Sequence, residues 1–208
     1  MPEPSRTSVD QLGERLKRGE ITEDDLRLLD AFRRSFAPAY EHVIAIIRSN
    51  VMSEPTGRPA KSTSSIIEKL QRETVRLTQM QDIAGCRLVV PGVRAQARVV
   101  AALQGSLGGV VVIDRRQRPS HGYRAVHIVA TSHAKPIEIQ VRTTLQHLWA
   151  EFSEKLADVV DPLIKYGGGT EKVRKLLADY SDLVAKVEAI ELGAGIKSTP
   201  ELLTLKGR

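Results

Sequence analysis

The stretch KPIEIQVRT, residues 135–143, alternates apolar and polar side chains without a break. Successive side chains of a β-strand point to opposite faces of the sheet. The alternation predicts a strand that buries Ile137, Ile139 and Val141. It sets Glu138, Gln140 and Arg142 side by side on the other face. An acid, an amide and a guanidinium do not pack against apolar helices without a steep desolvation cost. That second face therefore meets water or a ligand, and the rest of the chain has to be arranged around it.

Upstream, YRAVHIVAT reads as a strand joined to PIEIQVRT through SHAK, a hairpin connection. CRLVV and GGVVVID are two further strands, separated by the helix VRAQARVVAALQGSL. Strands thus alternate with helices, yet one pair is a hairpin. The combination predicts an α/β (α+β) fold, a mixed β-sheet over roughly residues 82–142 flanked by helices, with extra N- and C-terminal helices.

At the N-terminal side, Ser8 and Gln11 fit a capping box opening a short helix. Thr22 caps a longer helical stretch whose apolar stripe is Leu26, Leu29, Phe32, Phe36, Val43, Ile46 and Ile47, and Pro38 kinks or splits it. MSEPTGRPAKST reads as a loop and Thr63–Leu77 as a helix. TLQHLWAEFSEKLADVV is amphipathic, DPLIKYGGG breaks it, and EKVRKLLADYSDLVAKVEAIE is a last helix before a frayed tail. Three segments follow: a helical one at 1–52, a central domain at 53–165, and a C-terminal helix and tail at 166–208.

The single cysteine, Cys86, excludes an internal disulfide and reads as a small buried hydrophobe. No His/Cys spacing suits zinc. The N-terminus is too charged for a signal peptide and no apolar run is long enough to span a bilayer, so the expectation is a cytoplasmic protein with no membrane partner. A net charge of +6 favours polyanionic partners, nucleotides or RNA.

Several residues could carry chemistry. At about 100° per residue, Lys61, Ser65, Lys69 and Arg72 share a narrow helical stripe, while Ile66 and Leu70 face elsewhere. Three neighbouring cations call for solvent or a polyphosphate between them. Asp82 stands beside the Ala84-Gly85 turn at a strand start, a position for a carboxylate on Mg²⁺ or for a turn acid. Arg87 is a cation in an apolar strand, placed to stack on a base or to protect a sheet edge. Tyr123 and His127, four apart, share a strand face beside the basic loop RRQRPSHG. Tyr123 can stack a nucleobase there or close the core edge. Glu138, among cations, stays ionised, able to accept a proton from a hydroxyl or to help hold a metal ion.

GRPAKSTSSIIEKL, QDIAGCRL, HGYRAVH and EIQVRTTLQHLWAE, in this order, resemble the synthetase domain of RelA/SpoT homologues, the alarmone synthetases. The likeness runs from about Arg58 to Lys155. Without a His-Asp dipeptide or a long regulatory half, the chain is similar to the small, single-domain members. The resemblance implies a nucleotidyltransferase-like fold and transfer of the β,γ-pyrophosphate of ATP, with Mg²⁺, to the 3′-hydroxyl of GDP or GTP. Carried over by position, Arg58 and Arg87 sandwich the adenine, and Lys61, Ser65, Lys69 and Arg72 hold the phosphates. Asp82 binds Mg²⁺. Glu138 activates the 3′-hydroxyl and touches the metal. Tyr123 stacks on the acceptor base, and His127, Gln140, Arg142 and His147 line the acceptor side.

Two departures stand out. Arg58-Pro-Ala-Lys61 replaces the usual Arg-x-Lys, and Pro119 stands where a lysine often precedes the glycine. Other readings remain. One is a toxin-type relative, with a neutralising antitoxin, that pyrophosphorylates the tRNA 3′ end or makes adenine alarmones. KYGGG around Tyr166 bears a loose likeness to motifs in those relatives. Another is an RNA-binding regulator that has lost catalysis. The resemblance leaves a homo-oligomer open: small synthetases of this kind are often homotetramers, and toxin-type relatives need not be.

Overall fold

The structure, a computed structural model, describes residues 4–51 and 53–193. The tail beyond residue 193 therefore lies outside the described residues. Three helices come first: α1 (Arg6–Arg18), α2 (Glu23–Arg34) and α3 (Ala37–Asn50). Ser5, not Ser8, caps α1, because its hydroxyl accepts the Ser8 N–H. Thr22 does cap α2, in a reciprocal box with Asp25. Pro38 splits the predicted long helix by sitting in the first turn of α3, where it has no hydrogen bond to lose. Leu26, placed on the apolar stripe by its spacing, is 45% exposed.

The sheet has five strands in the order β1-β2-β5-β4-β3, with β1 (Thr56–Arg58), β2 (Gly85–Val90), β3 (Val111–Asp114), β4 (Val126–Ser132) and β5 (Lys135–Thr143). β2 and β5 run parallel and every other pair is antiparallel, so the sheet is mixed as its hairpin required. The β4–β5 turn is two residues, His133 and Ala134, both left-handed, which matches the twist of the flanking strands. β1 lies inside the predicted loop. Its three exposed residues carry no alternation to reveal it.

Four more α-helices follow among the described residues: α4 (Thr63–Arg72), α5 (Val93–Ser106), α6 (Thr144–Val159) and α7 (Glu171–Gly193). α4 stops at Arg72 rather than Leu77, and a short 3-10 turn holds Leu77. Ser62 caps α4, so Lys61 stands just ahead of the helix rather than on it.

Ile137, Ile139 and Val141 of β5 are fully buried, beside Cys86, Leu88, Val126 and Ile128 from the neighbouring strands. α1–α4 share this core with the sheet. A second, smaller cluster joins Trp149 and Ala157 of α6 to Leu177 and Val184 of α7. Each buried aliphatic of the sheet contributes on the order of 1.5–3 kcal/mol, which holds the opposite, polar face in register.

Candidate active site

The register determines what the polar face presents. Arg58 pairs with Gly85 and Gly85 with Glu138, so one row across the sheet reads Arg58, Gly85, Glu138. The next row reads Thr56, Arg87, Gln140, His127. Gly85 has a steric reason. A Cβ there would stand 2.4 Å from the Glu138 carbonyl oxygen, so only glycine lets β2 close on β5 at that point.

Asp82 lies just before β2. Its carboxylate accepts from Lys61 Nζ at 2.7 Å and Lys69 Nζ at 2.9 Å, while Arg58 donates to its backbone carbonyl at 2.8 Å. Burial pushes the Asp82 carboxyl up, but the two ammonium groups outweigh it and hold the group at about 2. Lys61 is itself buried, fixed by its own N–H donating to Ile83 O.

Glu138 heads a closed ring of five side chains. His127 Nδ1 lies 2.9 Å from Glu138 Oε1, and His127 Nε2 lies 3.0 Å from the Tyr123 hydroxyl. Gln140 donates to Glu138 Oε2 at 3.0 Å. Arg142 donates to Gln140 Oε1 at 2.8 Å and to the Tyr123 oxygen at 3.0 Å. With Arg142 donating to the phenol oxygen, one imidazole tautomer satisfies the whole ring: the Tyr123 O–H donates to Nε2 and Nδ1–H donates to Glu138. Burial pushes the Tyr123 hydroxyl up, which keeps that proton in place. Burial also raises the Glu138 carboxyl, but the His127 and Gln140 hydrogen bonds bring it net below its ordinary value. Both candidate carboxylates are therefore ionised at neutral pH.

Two adjoining clefts meet at these groups. The first, about 450 Å³, is lined by Arg58, Lys61, Lys69, Asp82, Arg87 and Glu138, among others. The second, about 560 Å³, is lined by Tyr123, His127, Gln140 and Arg142 on the far side of Glu138. Lys69, Arg72, Asp82, Glu138, Gln140 and Arg142 border both. Arg87 Nε and Arg142 Nη1 are buried with no hydrogen-bond partner among the described residues. Unpaired guanidinium N–H groups at a cleft wall are donors ready for an anionic or π-rich ligand.

Eleven of the thirteen predicted site residues line one or both clefts. Ser65 does not; its hydroxyl accepts from Ser62 at the cap of α4. His147 lies on α6 outside both linings, 3.4 Å from Glu151. Tyr123 precedes β4 instead of starting it, in a tight turn closed by Ser120 and Tyr123 over His121 and Gly122. The sequence reading did not select Glu154, Arg115 and Lys165, which also border the clefts. Their signal is faint, since each is one charge among many.

Tyr166, whose role the sequence left open, borders both clefts, and the Arg72 guanidinium carbon lies 3.7 Å from its ring centroid. The glycine after it explains part of the run KYGGG. Gly167 ends the short turn Pro162–Tyr166 in a left-handed conformation that favours glycine. Cys86 is buried on the sheet's other face, its thiol pushed up to about 12 by burial and then by Glu138, which makes it inert.

Residues 57–157 match the family described as a region found in RelA/SpoT proteins. The chain carries a RelA/SpoT-family domain. The match runs from Gly57 within β1 to Ala157 in the last turn of α6, and so takes in every cleft-lining residue singled out above except Tyr166, Lys165 and Thr56. An uncharacterized protein of Mycobacterium tuberculosis is 37% identical over 118 residues, 55% of this chain and 43% of that protein. The chain thus spans less than half the length of the curated relatives it matches. Among solved structures, small alarmone synthetase 1 from Bacillus subtilis superposes with a TM-score of 0.61 at 24% identity, over 80% of this chain and 96% of that one. The same enzyme bound to its product pppGpp gives 0.54 at 21% identity, over 78% and 90%. At these identities the RelA/SpoT-family domain shares a fold with both, the mixed sheet flanked by helices. Among the described residues no helix is long and apolar enough to cross a membrane.

Proposed function

We propose that this RelA/SpoT-family chain is a pyrophosphokinase that moves the β,γ-pyrophosphate of ATP to the 3′-hydroxyl of GDP or GTP. The observation that carries the reading is the convergence of a cationic wall and two ionised carboxylates on adjoining clefts: Lys61, Lys69 and Arg72 facing Asp82 and Glu138. Pyrophosphoryl transfer demands positioning and charge neutralisation more than covalent chemistry. Polyphosphate is the ligand class that three clustered cations accommodate.

The first cleft takes the donor. Arg58 and Arg87 lie on the same sheet face and flank the adenine, with Lys61, Lys69 and Arg72 on the phosphates. In the free protein Lys61 and Lys69 neutralise Asp82. The incoming triphosphate competes for them and releases the carboxylate. Asp82 and Glu138 suit Mg²⁺, which favours carboxylates together with phosphate oxygens. Bound there, the ion would neutralise charge on the transferring phosphates. The second cleft takes the acceptor, with Tyr123 against the base and His127, Gln140 and Arg142 around it. Glu138, at the junction of the clefts, accepts the 3′-hydroxyl proton. The hydroxyl oxygen forms a bond to the β-phosphorus, the bond from that phosphorus to the α–β bridging oxygen breaks, and AMP leaves. His127 and Gln140 hold the Glu138 carboxylate in place throughout. The pppGpp bound by the Bacillus subtilis relative supports a guanine acceptor.

Purified protein with Mg²⁺ and ATP labelled in the γ-phosphate tests this against GDP, GTP, AMP and tRNA in turn. Label on the guanine nucleotides is the expected result. Label on tRNA or AMP alone replaces the acceptor assignment and points to the toxin-type reading. No transfer to any acceptor, with tight RNA binding, overturns the enzymatic one.

A further inference from the structure

Tyr166 stands beyond the family match, which ends at residue 157. The chain nevertheless builds a fixed seat for it. Asp161 caps the short turn Pro162–Tyr166, its carboxylate accepting the Leu163 N–H at 2.9 Å. Ile164 is buried in the cluster that joins α6 to α7. The Gly167 N–H donates to the Ile164 carbonyl and the Gly168 N–H to the Leu163 carbonyl, which closes the turn. Gly167 also packs against the His121 ring, where a Cβ would stand 2.2 Å from His121 Nδ1. His121 belongs to the tight turn that carries Tyr123. The segment that bears Tyr166 is thus pressed against one wall of the second cleft, and its ring reaches across to Arg72, the last residue of α4.

The Arg72 guanidinium carbon lies 3.7 Å from the Tyr166 ring centroid, so cation and ring meet face to face. Such a stack uses the flat face of the guanidinium and leaves its edge, where the N–H donors lie, to other partners. One edge nitrogen, Nη2, donates to Glu73 at 3.0 Å. Lys61 and Lys69, by contrast, aim their ammonium groups at Asp82. Arg72 and Tyr166 border both clefts, as Asp82 and Glu138 do. A cation at that junction meets the part of the donor that passes from one cleft to the other. We infer that Tyr166 is a positioning residue: its ring holds the Arg72 guanidinium at the junction, edge free, for the β- and γ-phosphates of ATP. The identity of that ligand rests on the pyrophosphokinase reading. An unrestrained arginine gives up rotamer freedom when it binds phosphate, and here the stack has already removed part of that freedom. Without the ring, the exposed Glu73 carboxylate competes for the same guanidinium.

Equilibrium binding of ATP and of AMP to the full chain, each with Mg²⁺ and without acceptor, tests the role. AMP lacks the phosphates assigned to Arg72, so it reports on the rest of the donor cleft. Tyr166→Leu is expected to raise the ATP dissociation constant about tenfold and to leave that of AMP within about twofold of the parent. Tyr166→Phe, which keeps the ring, is expected to rescue ATP affinity. In an Arg72→Ala background, Tyr166→Leu is expected to add no further loss, because the pair acts as a unit. A Tyr166→Leu variant that binds ATP as well as the parent overturns the proposal. So does an equal loss for ATP and AMP, which marks a merely structural role, or a Tyr166→Phe variant as weak as Tyr166→Leu. A loss that persists in full in the Arg72→Ala background overturns it too. The readout needs no turnover, so a failure of the transfer assay and a failure of this role are seen separately.

Discussion

Asp82→Asn separates the resting role of this carboxylate from its part in the reaction. In the folded chain the group is held at about 2, against an ordinary value of 3.8, because Lys61 and Lys69 outweigh its burial. At about 1.4 kcal/mol per tenfold change in proton affinity, this contributes about 2 kcal/mol at neutral pH. Asp82 and Lys61 are little exposed to solvent, 13% and 10% at the side chain, so screening subtracts little. The variant also strands a buried ammonium group, which brings the expected loss to about 2–4 kcal/mol. Because the folded state depresses the acid, the stabilisation is complete above the unfolded value and fades as the pH falls through the folded one. About half of the carboxylate's own contribution remains at pH 3. Urea denaturation of parent and variant at pH 7 and pH 3, without nucleotide, measures both quantities. Adding ATP without metal to the variant is expected to restore part of the loss at pH 7, since its phosphates supply counter-charge to Lys61 and Lys69. A variant within about 0.5 kcal/mol of the parent at pH 7 would refute the argument. An equal deficit at both pH values would refute it too.

Three other outcomes follow from the geometry. Glu138→Gln is expected to lower kcat by about 10²–10⁴-fold while calorimetry finds ATP affinity nearly unchanged; parental turnover would reject Glu138 as the base. Tyr123→Ala should raise the acceptor KM more than the ATP KM, because it empties the second cleft and leaves the first intact, and equal effects in steady-state kinetics would contradict that division. Ala134→Gly should stabilise the chain by about 1 kcal/mol in thermal or urea melts, since Ala134 is left-handed in the β4–β5 turn, and a destabilised variant would argue against the two-residue turn.

The local features of the chain were legible because their causes lie within a few residues. The alternation of β5, the Thr22 cap, the break at Pro38 and the hairpin all act over one or two turns of backbone. The failures have equally local reasons. β1 is three exposed residues with a glycine in the middle, too short for any pattern to rise above a loop. Lys61 falls on one helical stripe with Ser65 and Lys69 only if the helix begins before Ser62. The cap begins it one residue after Ser62, so Lys61 reaches Asp82 from the preceding segment and Ser65 turns to Ser62 instead. Tyr123 shares a face with His127 by strand counting, yet it stands in a turn and meets His127 through its hydroxyl.

By itself, the sequence determined which side chains each element would bury and which it would leave polar, because side-chain direction repeats with the backbone period of a strand or helix. Only the tertiary structure decided that Arg58, Gly85 and Glu138 form one row, and that Lys61 and Lys69 close on Asp82. It also closed the ring from Tyr123 through Arg142. The contacts among these that cross from one element to another join residues from about ten to eighty positions apart, and their register is set by packing of the shared apolar core, which no local period encodes.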